Sequence, residues 1–282
     1  MSSERVAIVC DALRCACRLD VMAFKPGNVS FDSPGHDMRA TDFLVAAAYT
    51  ARALADDGTT LGRAVRNAVT ASVRATGCNT NLGIVLLGAP LAHAALWQRE
   101  GESLRTSLGR VLNGLTIDDA VQVFAAIRIA QPAGLGHSAE HDVDDVPAVT
   151  LLEAMQFASV RDRIAYEYTH QFVDVFEFGL PLLRAYRQRW QSLAWAAVGV
   201  YLALLGRIPD THIMRKFGAD RAHSVSAAAR ALESGFKACE NPATFAPELK
   251  KFDRELKQNG VNPGTSADLT VACLIALLLE HA

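Results

Sequence analysis

The chain has 282 residues, of which half are apolar and 21% charged, and its net charge is −2. This composition supports a globular body with a sizeable core. The near-neutral balance, with no Lys/Arg run, argues against a nucleic-acid partner but not against a local anion pocket. Six dispersed cysteines (Cys10, Cys15, Cys17, Cys78, Cys239, Cys273) have neither a CxxC pair nor zinc-ligand spacing, and buried thiols are expected. Glu4, Arg5 and Asp11 break up the N-terminal apolar residues, unlike the core of a secretion signal. The apolar stretches 82–97, 193–206 and 269–279 are shorter than a membrane span, so the expectation is a cytoplasmic protein with no membrane partner.

Alternating-polarity strands are scarce, whereas Ala- and Leu-rich stretches at helical spacing recur throughout. Helices are predicted over residues 4–22, 38–55, 60–75, 82–97 and 104–113. Thr116 followed by Asp119 makes a capping-box start for the next helix, which must end before Pro132. Further helices are predicted over 149–160, 162–178, 181–189, 192–205, 219–239, 243–258 and 265–281. No Ser/Gly/Pro-rich linker and no fixed-period repeat divides the sequence. Residues 1–282 are therefore expected to form one all-α domain, a bundle of roughly a dozen helices.

The chemistry is concentrated in the polar loops between these helices. Asn79-Thr80-Asn81, between Gly77 and Gly83, precedes an apolar helix. Free amides at such a helix start favour an anion, and simple capping by Thr80 or Asn81 is the structural alternative. Asn262-Pro263-Gly264-Thr265-Ser266-Ala267-Asp268 opens the last helix, with Thr265 and Asp268 spaced as a capping-box relative. His36-Asp37 follows Pro34-Gly35, with Asp42 close behind; Asp37 could cap the next helix or serve Mg²⁺, a hard cation that takes oxygen ligands. Arg163, Glu167, His170, Asp174 and Glu177 share one stripe of a predicted helix, either a solvated face or a polar cleft wall. Asp210, His212, Arg215 and Lys216 offer a carboxylate, an imidazole and two cations within seven residues. His137, Glu140 and His141 have metal-like spacing, but the surrounding Pro132, Gly134 and Gly136 favour a loop. There is no GxGxxG, P-loop, GxSxG or HExxH, so a nucleotide site here would be of an unusual helical kind.

Four motifs occur in order: Lys25-Pro26-Gly27, Gly35-His36-Asp37-Met38 with Asp42-Phe43, Gly77-Cys78-Asn79-Thr80-Asn81-Leu82-Gly83, and Asn262 to Leu269. Together they resemble the triphosphoribosyl-dephospho-CoA synthases. The resemblance implies an all-α fold and a Mg²⁺-dependent reaction in which a ribose hydroxyl of dephospho-CoA displaces adenine from C1′ of ATP. It implies Asp37 as metal ligand or base and Asp268 as a second carboxylate of the site. Asn79, Thr80 and Asn81 would contact the nucleotide, and Lys25 a phosphate. His36, Arg215, Lys216, Asn262 and Thr265 are added as substrate contacts, Asp210 as a catalytic candidate, and Asp42 and Asp174 as metal candidates. The chain departs from the family pattern where Asn81-Leu82-Gly83 stands in place of the His-Lys-Gly that commonly follows Asn-Thr, and where Gly134 to Glu140 replaces a Gly-rich, Arg-containing segment. These departures suggest a divergent branch of the kind linked to tetrahydromethanopterin one-carbon metabolism, with a pterin-cofactor precursor as an alternative acceptor. A catalytically silent nucleotide-binding protein and a metal-dependent nucleotide phosphohydrolase are the competing readings. A homodimer is an expectation of the resemblance alone.

Overall fold

Segments with helical apolar spacing fold as helices in the computed structural model, which describes residues 3–132, 134 and 142–280. Fourteen α-helices lie among the described residues: α1 Ser3–Met22, α2 Ala40–Leu54, α3 Leu61–Thr76, α4 Leu82–Leu96, α5 Leu104–Asn113, α6 Ile117–Ala130, α7 Leu151–Ala158, α8 Arg163–Thr169, α9 Leu180–Trp190, α10 Leu193–Arg207, α11 Thr211–Phe217, α12 Ala219–Ala238, α13 Ala246–Gln258 and α14 Gly264–Leu279. No strand occurs among them, only two isolated bridges in the 30–38 loop. Polar residues fix the helix starts: the hydroxyls of Thr60, Ser103, Thr116, Thr150 and Ser192 each accept an N–H from the first turn. Thr116 with Asp119 forms the predicted capping box.

Three helices, α4, α10 and α14, are apolar around most of their circumference and form the centre. Helix α14 packs against α1, α4 and α10. Each fully buried Leu on such a helix contributes about 1.5–3 kcal/mol. No single helix among the described residues is long and apolar enough to cross a membrane; α10 and α11 reach that composition only as a pair bent by 53°, and α10 is buried in the core. Helix α4 continues through Pro90. Proline has no N–H for the carbonyl four residues earlier. The buried Tyr168 hydroxyl donates to that carbonyl, Leu86 O, at 2.6 Å.

The structure differs from the sequence reading at several points. The predicted helix over 162–178 is broken. Helix α8 ends at Thr169, Gln171 and Phe172 take left-handed φ of 49° and 56°, and a π-helical turn, Asp174–Gly179, leads into α9. Glu167 organises the break: its main-chain carbonyl accepts Phe172 N (2.8 Å), and its carboxylate accepts Asp174 N and Val175 N. Burial, and then the charge of Asp174, pushes this carboxyl up to about 8. The expected stripe is therefore dispersed, with His170 exposed on Tyr166 and Glu177 paired to Arg105. Helix α11 was not foreseen. Only Cys17 and Cys273 are buried thiols; Cys15 is exposed. His137, Glu140 and His141 lie outside the described residues.

Two measurements test this framework. Tyr168→Phe leaves Leu86 O unpaired and is expected to cost about 1–3 kcal/mol in urea unfolding, with a smaller cost in a Pro90→Ala background that restores an N–H at that turn. His93 is fully buried and neither ring nitrogen has a hydrogen-bond partner among the described residues; burial lowers its pKa to about 4. The unfolded chain binds this proton at about pH 6.5, so stability is retained above that value and falls as pH drops towards 4, by up to about 3 kcal/mol. His93→Leu is expected to flatten that part of the stability–pH curve.

Candidate functional site

The Lys25-Pro26-Gly27 turn is anchored from both ends of the chain. Asp253 on α13 accepts Gly27 N (2.8 Å) and Ser33 Oγ (2.6 Å), Tyr201 donates to Pro26 O, and Gly27 has φ +82°. A Cβ at Gly27 would meet Leu256 and Pro263 at 2.8 Å, so only glycine fits. The Lys25 ammonium is fully buried and pairs with Asp20 Oδ1 at 2.8 Å. Residues 35–38 form a two-residue hairpin turn in which Gly35 and Met38 exchange both main-chain bonds, with His36 and Asp37 at φ 56° and 60°. Two successive left-handed non-glycine residues are those of a type I′ turn and store backbone strain. His36 Nε2 donates to Gly27 O at 2.9 Å.

Four helix starts meet beside these loops, those of α4, α8, α11 and α14, around a cavity of about 660 Å³. At α4 the cap comes from Asn79, whose Oδ1 accepts Leu82 N at 3.1 Å, not from Thr80 or Asn81. Those two buried side chains instead interact with Ser72 of α3. At α14 Thr265 is not the cap, because the helix begins at Gly264. The Thr265 hydroxyl accepts His212 N (3.1 Å) and lies 3.1 Å from the Thr211 hydroxyl. Asp268, free of the capping role, points into the cavity against Gly83, where a Cβ would sit 1.9 Å from its Oδ2. Asp268 has no hydrogen bond or ion pair among the described residues. Burial, then the charges of Asp20 and Asp210, raise its pKa well above the ordinary carboxyl value.

Asp210 holds this arrangement together. Its Oδ1 accepts His212 N and Ile213 N at 3.0 and 3.1 Å, and its Oδ2 accepts Ser266 N and Ser266 Oγ, both at 2.8 Å. One buried carboxylate thus caps α11 and binds the first turn of α14. Burial raises its pKa, and the bonds from Ser266, Ile213 and His212 oppose that rise. Asp162 has a similar double role: Oδ1 caps α8, and Oδ2 accepts Arg215 Nη1 at 2.6 Å. Arg215, Lys216 and Arg161 supply cations to the cavity wall. Gly264 makes room for His212, whose Nδ1 would lie 2.5 Å from a Cβ there. Burial, then Arg215, Lys216 and His36, lower the His212 pKa to about 4, so it is neutral at pH 7.

Of the residues singled out from sequence, His36, Asn79, Thr80, Asn81, Arg215, Lys216, Asn262, Thr265 and Asp268 line the cavity. Asn262 Oδ1 accepts Asn28 Nδ2 at 3.0 Å. Lys25 and Asp210 stand behind the wall, each fully engaged with protein groups. Asp37 is exposed at the corner of its turn; its predicted capping role belongs to Asp42, which accepts Arg39 N at 2.7 Å. Asp174 pairs with Arg163 at 2.6 Å on the far side of α8. Asp37, Asp42 and Asp174 therefore do not converge, and among the described residues no group of three or more His, Cys, Asp or Glu could hold a metal ion. The reading missed Asp20, Arg161 and Asp162. The signal for Asp20 was a carboxylate between Leu19 and Val21 on an otherwise buried helix face.

Asp210→Asn substitutes an amide that cannot accept at both oxygens. It is expected to cost about 2–4 kcal/mol in chemical denaturation, and a loss below about 1 kcal/mol would contradict the capping role.

Residues 8–282 match the family model described as ATP:dephospho-CoA triphosphoribosyl transferase. A crystal structure from Archaeoglobus fulgidus, described as a proposed triphosphoribosyl-dephospho-CoA synthase, shares the fold at a TM-score of 0.66 and 24% identity, covering 84% of this chain and 98% of that one. No curated protein matches the chain. The family match spans nearly all of the sequence and includes every loop that builds the cavity: the chain belongs to the ATP:dephospho-CoA triphosphoribosyl transferase family.

Proposed function

We propose that this cavity performs the family reaction, in which a hydroxyl of dephospho-CoA displaces adenine from C1′ of the ATP ribose. The C1′–N bond breaks with its electron pair going to the base, the C1′–O bond forms, and the hydroxyl proton passes to the protein. The observation that carries the reading is the meeting, in one cavity, of the α4 and α14 helix starts with Arg161, Arg215, Lys216 and the half-buried carboxylate of Asp268. The positive N-terminal ends of these helices, together with the cations, suit a polyphosphate. The transition state at C1′ resembles an oxocarbenium ion, which a nearby carboxylate stabilises.

His212 is the proton acceptor in this proposal. It faces the cavity as a neutral imidazole, and part of what lowers its proton affinity is the charge of Arg215 and Lys216. Phosphates bound by those two side chains would neutralise that charge and raise the basicity of His212 as the substrate seats. Mg²⁺ fits the donor set, since Asp20 and Asp268 both face the cavity and the charge of Asp20 disfavours that of Asp268. Mg²⁺ is commonly held by one or two carboxylates with substrate phosphates completing its shell, and it would supply positive charge against the triphosphate. Asp37, Asp42 and Asp174 are replaced in this role by Asp20 and Asp268.

The test is adenine release followed by chromatography in the presence of ATP, Mg²⁺ and dephospho-CoA. Release is expected to require dephospho-CoA and to fall roughly 10²–10⁴-fold in His212→Gln with ATP affinity retained. Asp268→Asn is expected to weaken Mg²⁺-dependent ATP binding. ATP binding without adenine release would reject dephospho-CoA as the acceptor.

A further inference from the structure

The cavity has a second end that phosphate chemistry does not use. Phe124 and Ile127 of α6, Met155 and Ala158 of α7, and Ile164 of α8 form its walls, with Phe157, 46% exposed, beside them. Met155 and Ile164 belong to the core and Ile127 and Ala158 pack against it, and the apolar surface these residues leave facing the cavity gains about 25 cal/mol per Å² when a ligand covers it. The walls are preformed: the capping boxes Thr116/Asp119 and Thr150/Glu153 fix the starts of α6 and α7, and Leu151 N donates to Thr116 O at 3.2 Å. Phenyl rings, a thioether and branched aliphatic groups pack well against a flat, uncharged ring. These residues line the same cavity as the cations, so a ligand whose phosphates sit at the α4 and α14 starts has an apolar wall within the same cavity for its uncharged part.

We propose that the apolar end, between α6 and α7, is the subsite for the heteroaromatic base of a nucleotide substrate. This rests on the reading of the opposite end as the polyphosphate site. ATP and dephospho-CoA both carry adenine, and the chemistry that would recognise the ring is common to the two.

The experiment is isothermal titration of the wild type, Ala158→Trp and Ile127→Thr with ATP, dephospho-CoA, adenosine and inorganic tripolyphosphate, with Mg²⁺ present and folding checked by thermal melting. Ala158→Trp fills the apolar end from a partly exposed position at the end of α7. It is expected to weaken at least one nucleotide roughly ten-fold or more and leave tripolyphosphate within about two-fold. Ile127→Thr, which shortens the wall side chain and puts a hydroxyl on the apolar surface, is expected to act in the same direction and less strongly. Whichever nucleotide loses affinity is the one whose base occupies the subsite. Unchanged nucleotide affinity in both variants overturns the proposal, and so does a loss of tripolyphosphate equal to that of the nucleotides. Variant-sensitive adenosine binding in a protein that ignores tripolyphosphate would remove the polyphosphate reading and leave the base subsite standing. A wild type that binds neither nucleotide nor adenosine overturns both.

Discussion

The geometry of the cavity depends on one buried carboxylate that serves two helix starts. The first amides of any helix lack partners within it, and burying them unpaired costs more than a single hydrogen bond returns. Asp210 meets that requirement for α11 with one oxygen and for the first turn of α14 with the other. Four donors solvate the anion in place of water, and no counter-cation is needed. Because the two starts share this acceptor, the side chains they carry have a common reference point. His212 on one helix and Thr265 and Asp268 on the other face the same space as a result.

Several residues of the site occupy environments that a stability-optimised chain would avoid. His36 and Asp37 adopt left-handed backbone that glycine would take at lower cost. Asp268 rests against Gly83 without a protein partner, and Asp20 and Asp210 both work against its ionisation. Such conditions are tolerated because the surroundings are rigid: Asp253 and Lys257 brace the 27–33 loop. A bound divalent cation would relieve the electrostatic part of this strain, which is how binding energy couples to the charge state of the site.

Local chemistry made much of this legible in the sequence. The α5 boundaries and the Thr116/Asp119 box follow from spacing and capping alone, and the loops at 79–81 and 262–268 drew attention because they hold more polar groups than a turn requires. What stayed illegible depends on contacts far along the chain. Nothing near Glu167 announces that its carboxylate will accept two amides beyond a reversed turn and end α8 early. Lys25 and Asp210 carry the residue types of catalysis, yet their partners, Asp20 and Ser266, turn them into supports. Asp42 is a metal candidate only by its nearness to Asp37 in sequence; with Arg39 as the N-cap of α2, its carboxylate has a local partner in Arg39 N.

The bracing of the 25–28 loop also governs when the cavity can come into being. Gly27 bonds to Asp253 across 226 residues and Asn28 to Asn262 across 234. Contacts of such separation are closed at a high entropic cost and form late relative to helix pairs such as α2 with α3. During synthesis the early helices emerge with a polar loop whose receptor has not yet been made. Until α13 and α14 arrive, Lys25 has Asp20 nearby but not the enclosure that buries the pair, and the cavity has only part of its wall. Ligand-binding competence is therefore a late event in the folding of this chain, acquired when its two distant segments close on one another.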